Sequence, residues 1–237
     1  MRPPKPNGPL EVIFEDNHLL IVNKPAMLPT MGSAAGDDSL VARCKTYLKH
    51  KYQKPGNVFL GVVSRLDAVV SGLVVLARTS KAAARLSAQF QSRQVGKVYW
   101  AVVWGPVQPQ HEATLVDYIW HDDRAQRVVV VGKGVRAESI PGAKLARLTY
   151  RWLGRISWGD WLAVELETGR KHQIRVQLAA QQFPIVGDRK YGSPVPFYRG
   201  IALHSQSLSF AHPVRSEQMA FQIAPPEYWQ LPMDDLR

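Results

Sequence analysis

Cysteine is almost absent: Cys44 is the only one in 237 residues. One thiol cannot close an internal disulfide and offers no ligand cluster for zinc. Cys44 stands among Leu40, Val41, Tyr47 and Leu48 at helical spacing, so a small buried hydrophobe is expected there rather than a nucleophile. No stretch approaches the ~20 apolar residues that a membrane helix needs. The polar, proline-rich start from Met1 to Pro9 lacks the apolar core of a signal peptide. A soluble, cytoplasmic protein is therefore expected. Acids are also scarce, with 19 Asp and Glu against 30 Lys and Arg, for a net charge of +11. Such a surplus draws polyanions, most commonly phosphate backbones, although a merely solubilising surface would carry the same charge. Internal repeats, heptads and long low-complexity runs are missing, which excludes solenoids and coiled coils.

What is present is ample core material: 46% hydrophobic residues, with seven Trp, eight Tyr and seven Phe. The length fits one large domain or a domain with two lobes. Residues 1–10 read as a flexible tail and 11–237 as the folded domain, with no composition shift inside it. Val12–Glu15 and Leu19–Asn23 read as strands joined around Asp16-Asn17, a favourable turn pair. Asp38 or Ser39 can cap a helix to about Lys49, and Thr79 one whose Ala83, Leu86 and Phe90 share a face. Phe59–Val63, Leu73–Ala77 and Val98–Trp104 are apolar, β-branched runs that read as buried strands. From Ala113 to Ser157, Val-rich pieces alternate with Gly and charge, suggesting strands with mobile connections. Trp161–Leu166 alternates as a strand, and His172–Gln181 has helical character. Strands outnumber helices and do not alternate regularly with them. The expected class is α+β, a mixed, mostly antiparallel sheet flanked by helices and loops.

Three segments place charge where a core strand ends. Ser64-Arg65-Leu66-Asp67-Ala68-Val69-Val70-Ser71-Gly72 lies between two buried runs, where Arg, Asp and Ser cost solvation unless paired or used. On its own it reads as a surface loop with one ion pair. Glu167-Thr168-Gly169-Arg170-Lys171-His172-Gln173-Ile174-Arg175-Val176 gathers three cations and a His at a strand-to-helix junction, a good anion site or a solvated basic turn. Ile174 and Val176 flank Arg175, which points that side chain toward a partly buried place. A buried guanidinium needs a carboxylate, and Asp67 is one that would suit its fork. In Lys97-Val98-Tyr99-Trp100-Ala101-Val102-Val103-Trp104-Gly105, strand alternation puts Lys97, Tyr99, Ala101 and Val103 on one face. Tyr99 reads there as a core residue or as an aromatic platform for a base.

Taken in order, these segments resemble the motifs of the RluA-like RNA pseudouridine synthases. The family's signature runs H-R-L-D-x-x-T-S-G, K-x-Y-x-A-x-V-x-G, T-G-R-x-H-Q-I-R-V-H-L and P-I-x-G-D-x-x-Y-G. Here stand Arg65-Leu66-Asp67 with Ser71-Gly72, then Lys97, Tyr99, Ala101, Val103 and Gly105. Thr168-Gly169-Arg170 and His172-Gln173-Ile174-Arg175-Val176 follow, then Pro184-Ile185-Val186-Gly187-Asp188 and Tyr191-Gly192. The opening run from Phe14 to Pro25, Leu203-His204 and Phe210-Ala211-His212-Pro213 also match, so the resemblance covers about residues 11–214. Ser64 stands where the family usually has His, Val70 where Thr is usual, Lys171 where Thr or Ser is usual, and Gln177 where His is common. These departures bear on substrate choice and rate more than on the reaction.

The resemblance implies the pseudouridine synthase fold with its active site in a central cleft; the short stretch before Phe14 leaves no room for the S4-type RNA-binding domain that some relatives carry, so none is expected. It implies an isomerase that detaches uracil from ribose, turns it and rejoins it through C5. Asp67 would act either by attacking the nucleoside or by removing a ribose proton. Arg175 would favour its charged form and hold its orientation, and Tyr99 would stack on the uracil. Arg65, Arg170, Lys171, His172 and Gln173 are the expected RNA-binding residues. No cofactor and no metal are expected: His204 and His212 are widely spaced and lack Cys or carboxylate support. The partner is structured RNA, ribosomal or transfer, and the protein is expected to be a monomer. The competing expectation, motivated by Ser64 and Val70, is an RNA-binding or RNA-chaperone module that kept the fold and lost activity.

Overall fold

The computed structural model describes residues 8–231 apart from 33, 35, 110, 133 and 216, so most of the expected 1–10 tail lies outside the described residues. In chain order the elements are β1 (Glu11–Glu15), β2 (Leu19–Lys24), α1 (Leu40–Lys51), β3 (Gly61–Val62), β4 (Ser71–Ala77) and α2 (Ser80–Gln91). Then come β5 (Gly96–Val103), β6 (Glu112–Asp122), β7 (Arg127–Val130), β8 (Lys144–Ile156) and β9 (Gly159–Leu166). The chain closes with α3 (Gln173–Ala180), β10 (Leu203–Ala211) and β11 (Gln218–Gln222). The class is α+β, with antiparallel strands outnumbering the helices as expected.

The chain divides into two compact units, residues 1–97 with 205–223, and residues 98–204 with 224–237. In the first, the strand order is β1-β2-β4-β10, with β3 against β4 and β11 against β10. β2 and β4 are covered on both faces, which is why they read as unbroken apolar runs rather than as alternation. Leu19, Ile21, Leu73 and Val75 face Ala82 and Leu86 of α2, together with Phe210 of β10. Leu20, Val22, Val74 and Leu76 turn the other way, onto Leu40, Cys44 and Leu48 of α1. Each fully buried Leu here contributes about 2 kcal/mol through removal of apolar surface from water. Both helices start where the sequence places them. The Ser39 and Thr79 hydroxyls accept from the backbone N–H of Ala42 and Ala82, closing one open donor at each helix start.

In the second unit the order is β5-β9-β8-β6-β7, antiparallel at each pairing. The region expected to be strands with mobile connections is built on β6, β7 and the 13-residue β8, which carries a register shift between Trp152 and Gly154. α3 lies over this sheet, burying Val176 with Ile119, Val128, Ala146 and Tyr191.

Candidate active site

Asp67 lies in the segment between β3 and β4, half-buried. The residues on either side of it are tied down. The Thr30 hydroxyl donates to the Leu66 carbonyl at 2.8 Å and accepts from the Leu66 N–H at 3.1 Å. On the other side, the Lys24 Nζ donates to the Ala68 carbonyl at 3.3 Å, and also to the carbonyls of Pro25 at 2.9 Å and Leu28 at 2.8 Å. The Val70 N–H bonds the Asp67 carbonyl, which closes a turn immediately after the carboxylate. Where β4 begins, Gly72 pairs with Lys24 and takes φ +117°, a conformation L side chains rarely adopt. A Cβ at that position would strike the Ser205 backbone.

Lys24 is the residue whose task the sequence did not disclose. It is fully buried at the end of β2, and its ammonium offers three donors to three carbonyls. Burial pulls its pKa down to about 7, against which the nearby Asp67 charge pulls upward. The signal in the sequence was a lysine closing a strand that opens with four apolar residues, just before Pro25. Arg65, two residues before Asp67, is exposed.

The second unit holds the other expected residues. Tyr99 lies half-buried on β5, paired across to Val164 of β9. Arg175 is buried on α3, as its apolar neighbours implied. Asp188 takes its Nε and Nη2 at 2.7 and 2.9 Å, a two-toothed ion pair with both side chains buried. The guanidinium also lies 5.0 Å from the ring centroid of Tyr191. The Tyr191 hydroxyl is 2.8 Å from His172 Nδ1 and accepts from the Val128 N–H. The P-I-x-G-D-x-x-Y-G segment thus supplies supports for both Arg175 and His172, a role that spacing alone did not reveal. His172 enters α3 in the left-handed region, φ 55°.

The remaining expected RNA-binding residues divide by exposure. Arg170 and Lys171 are exposed, with Arg170 Nε donating to the Leu145 carbonyl. Gln173 is buried, and its amide is occupied within the fold. Its oxygen accepts from the Thr168 hydroxyl and the Arg170 N–H, and its nitrogen donates to the Arg147 carbonyl. That gives Gln173 the task of shaping the turn that presents Arg170. Gln177, where the motif commonly has His, is buried and donates to the Asp117 carboxylate at 2.7 Å. Among the described residues no group of three or more His, Cys, Asp or Glu could hold a metal ion. His212 instead bonds the Asp16 carboxylate at 2.9 Å. No helix among the described residues is long and apolar enough to cross a membrane.

The fold is shared with solved pseudouridylate synthase domains. Human RNA pseudouridylate synthase domain containing 4 superposes with a TM-score of 0.73 at 22% identity, covering 93% of this chain and 90% of that one. Human RNA pseudouridylate synthase domain containing 1 gives 0.73 at 24%, covering 94% and 86%. In sequence, the RNA pseudouridylate synthase family profile matches residues 18–180. An uncharacterized RNA pseudouridine synthase of Synechocystis sp. is 36% identical over 222 residues, covering 89% of this chain and 64% of that protein. The ribosomal large subunit pseudouridine synthase D of Zymomonas mobilis is 32% identical over 235 residues, covering 94% and 71%. The chain belongs to the RNA pseudouridylate synthase family. It spans about two thirds of the length of these two relatives.

Proposed function

We propose that this chain is an RNA pseudouridine synthase, with Asp67 as its catalytic carboxylate and structured RNA as its substrate. Ribosomal RNA is the first candidate, because relatives covering most of the chain are named for the large ribosomal subunit. The supporting observation is the segment around Asp67. The family profile spans it, and its backbone is clamped at Leu66 by Thr30 and at Ala68 by Lys24, while the carboxylate-bearing residue stays half-buried. A side chain that must meet one ribose atom gains from a backbone fixed on both sides.

In this reading the C1′–N1 bond of the uridine breaks, the uracil turns, and a C1′–C5 bond forms. The C5 proton is lost and N1 gains one, so no cofactor or redox partner is needed. Asp67 acts by attack on the nucleoside or by removal of a ribose proton, and both routes use the ionised carboxylate. Arg175 supplies the cation that favours that form. The two hydrogen bonds to Asp188 set the plane of that guanidinium. Tyr99 stacks on the uracil, and Arg65, Arg170, Lys171 and His172 contact RNA, with Gln173 holding the turn beneath Arg170. The target base leaves its stack at a cost of a few kcal/mol, which favours loops and bulges.

The test incubates purified protein with bulk RNA and maps pseudouridine by carbodiimide-induced reverse-transcription stops. The expected result is new stops that vanish with Asp67→Ala. Binding without product in the unsubstituted protein would mean an RNA-binding or chaperone module, and a free base would mean a hydrolase.

A further inference from the structure

We infer that the C-terminal end of α1 is a phosphate-binding groove that grips the RNA backbone away from the target uridine. The inference rests on the reading that RNA is the substrate. From Leu40 to Lys54 the chain carries no acidic residue but four lysines, an arginine and a histidine. Two of these cations are already neutralised: Arg43 pairs with Asp38, and Lys51 with Glu15. Lys45, Lys49 and Lys54 are exposed, and among the described residues none has a carboxylate at ion-pair distance. Lys49, His50 and Lys54 line one shallow groove with Thr46 and Gln53.

The backbone brings these charges together. α1 ends in a cap where the Lys54 N–H bonds the Lys49 carbonyl and the Gln53 N–H bonds the His50 carbonyl. Gln53 takes φ 47° to allow it, a conformation in which glycine is the usual occupant. The turn folds Lys54 back beside Lys49 rather than letting the chain run away from it. Lys45 and Lys49 are one turn apart, about 6 Å along the axis, the reach between neighbouring phosphates on one strand. Like charges at this spacing disfavour the helix. Cations at a helix C-terminus are favoured by its dipole, which accounts for Lys49 and Lys51 but not for Lys45, a turn and a half earlier, or for the returned Lys54. A polyanion that lies in the groove and reaches back one turn to Lys45 relieves the repulsion among all three.

The experiment compares the full chain with a Lys45→Ala, Lys49→Ala, Lys54→Ala variant by measuring affinity for ribosomal RNA fragments between about 50 and 200 mM salt. Three lost phosphate contacts are expected to flatten the slope of log affinity against log salt by about 2. Lys81→Ala, which removes an exposed lysine from α2, is the control and is expected to keep the unsubstituted slope. An unchanged slope in the triple variant, or a loss per lysine at Lys81 equal to that in the groove, overturns the inference. So does binding to anionic lipid vesicles that drops in the triple variant while RNA affinity stays the same. Product formation by the unsubstituted protein is scored on the same RNA. No product together with a flattened slope would overturn the enzymatic reading and leave the groove standing.

Discussion

Lys24→Met is the most informative single change. Methionine keeps most of the volume of a fully buried lysine while removing the three donations to Pro25, Leu28 and Ala68. Burial holds the Lys24 pKa at about 7, against 10.5 for the unfolded chain. Between those values the unfolded state keeps a proton that the folded state lacks, so stability rises with pH through this window. The destabilisation is complete below pH 7 and gone above about 10.5. One proton over that interval corresponds to about 1.4 kcal/mol per pH unit, or about 3 kcal/mol between pH 7 and 9. Urea unfolding of both proteins at pH 6, 7, 8 and 9 isolates the effect, because every other titrating group is common to the two. The gap between the curves is expected to change in favour of the unsubstituted protein as pH rises above 7, and to stay constant below it. Turnover is expected to fall about 100-fold in the variant with little change in KM, since Ala68 loses its tether and Asp67 shifts with it. Parallel stability curves, or full turnover with methionine in place, would refute the caged-ammonium reading.

Three further outcomes are expected. Gly72→Ala forces a Cβ into the Ser205 backbone at φ +117°, and should cost ~3 kcal/mol, seen as a Tm lowered by about 10 °C in a thermal melt. Asp188→Asn removes an ionised, bidentate partner of the buried Arg175 charge; a loss of about 3 kcal/mol in urea unfolding is expected, with kcat reduced more than RNA affinity. Burial pushes the Cys44 thiol up to about 12, so a thiol reagent at pH 8 should label the protein only after denaturation.

The elements that local chemistry dictates were legible in the sequence. Ser39 and Thr79 cap their helices, the turn after Glu15 joins two strands, and the two-sided burial of β2 and β4 follows from their unbroken apolar runs. The run Phe59–Val63 was legible only in part. It pairs over Gly61–Val62 alone, and Phe59 is 51% exposed. Gly61 lies so close to Ala83 of α2 that a Cβ there would approach to 2.7 Å. At the site, the apolar flanks of Arg175 announced its burial, but the choice of Asp188 as partner depends on a turn 13 residues on. Thr30 and Lys24 act on residues 36 and 44 positions away, and no periodicity or spacing encodes a contact of that range. The division into two units was likewise silent, because both contain the same mixture of apolar strands and basic turns.

The first unit is discontinuous: it needs residues 205–223, which carry most of β10 and all of β11, to cover the open side of β4. A ribosome adding about 10 residues per second delivers that piece some ten seconds after Lys97. Until then, the strand that follows Asp67 emerges with an unsealed margin. A nascent chain stalled anywhere between these points would display that margin to chaperones, or to any other unpaired strand within reach.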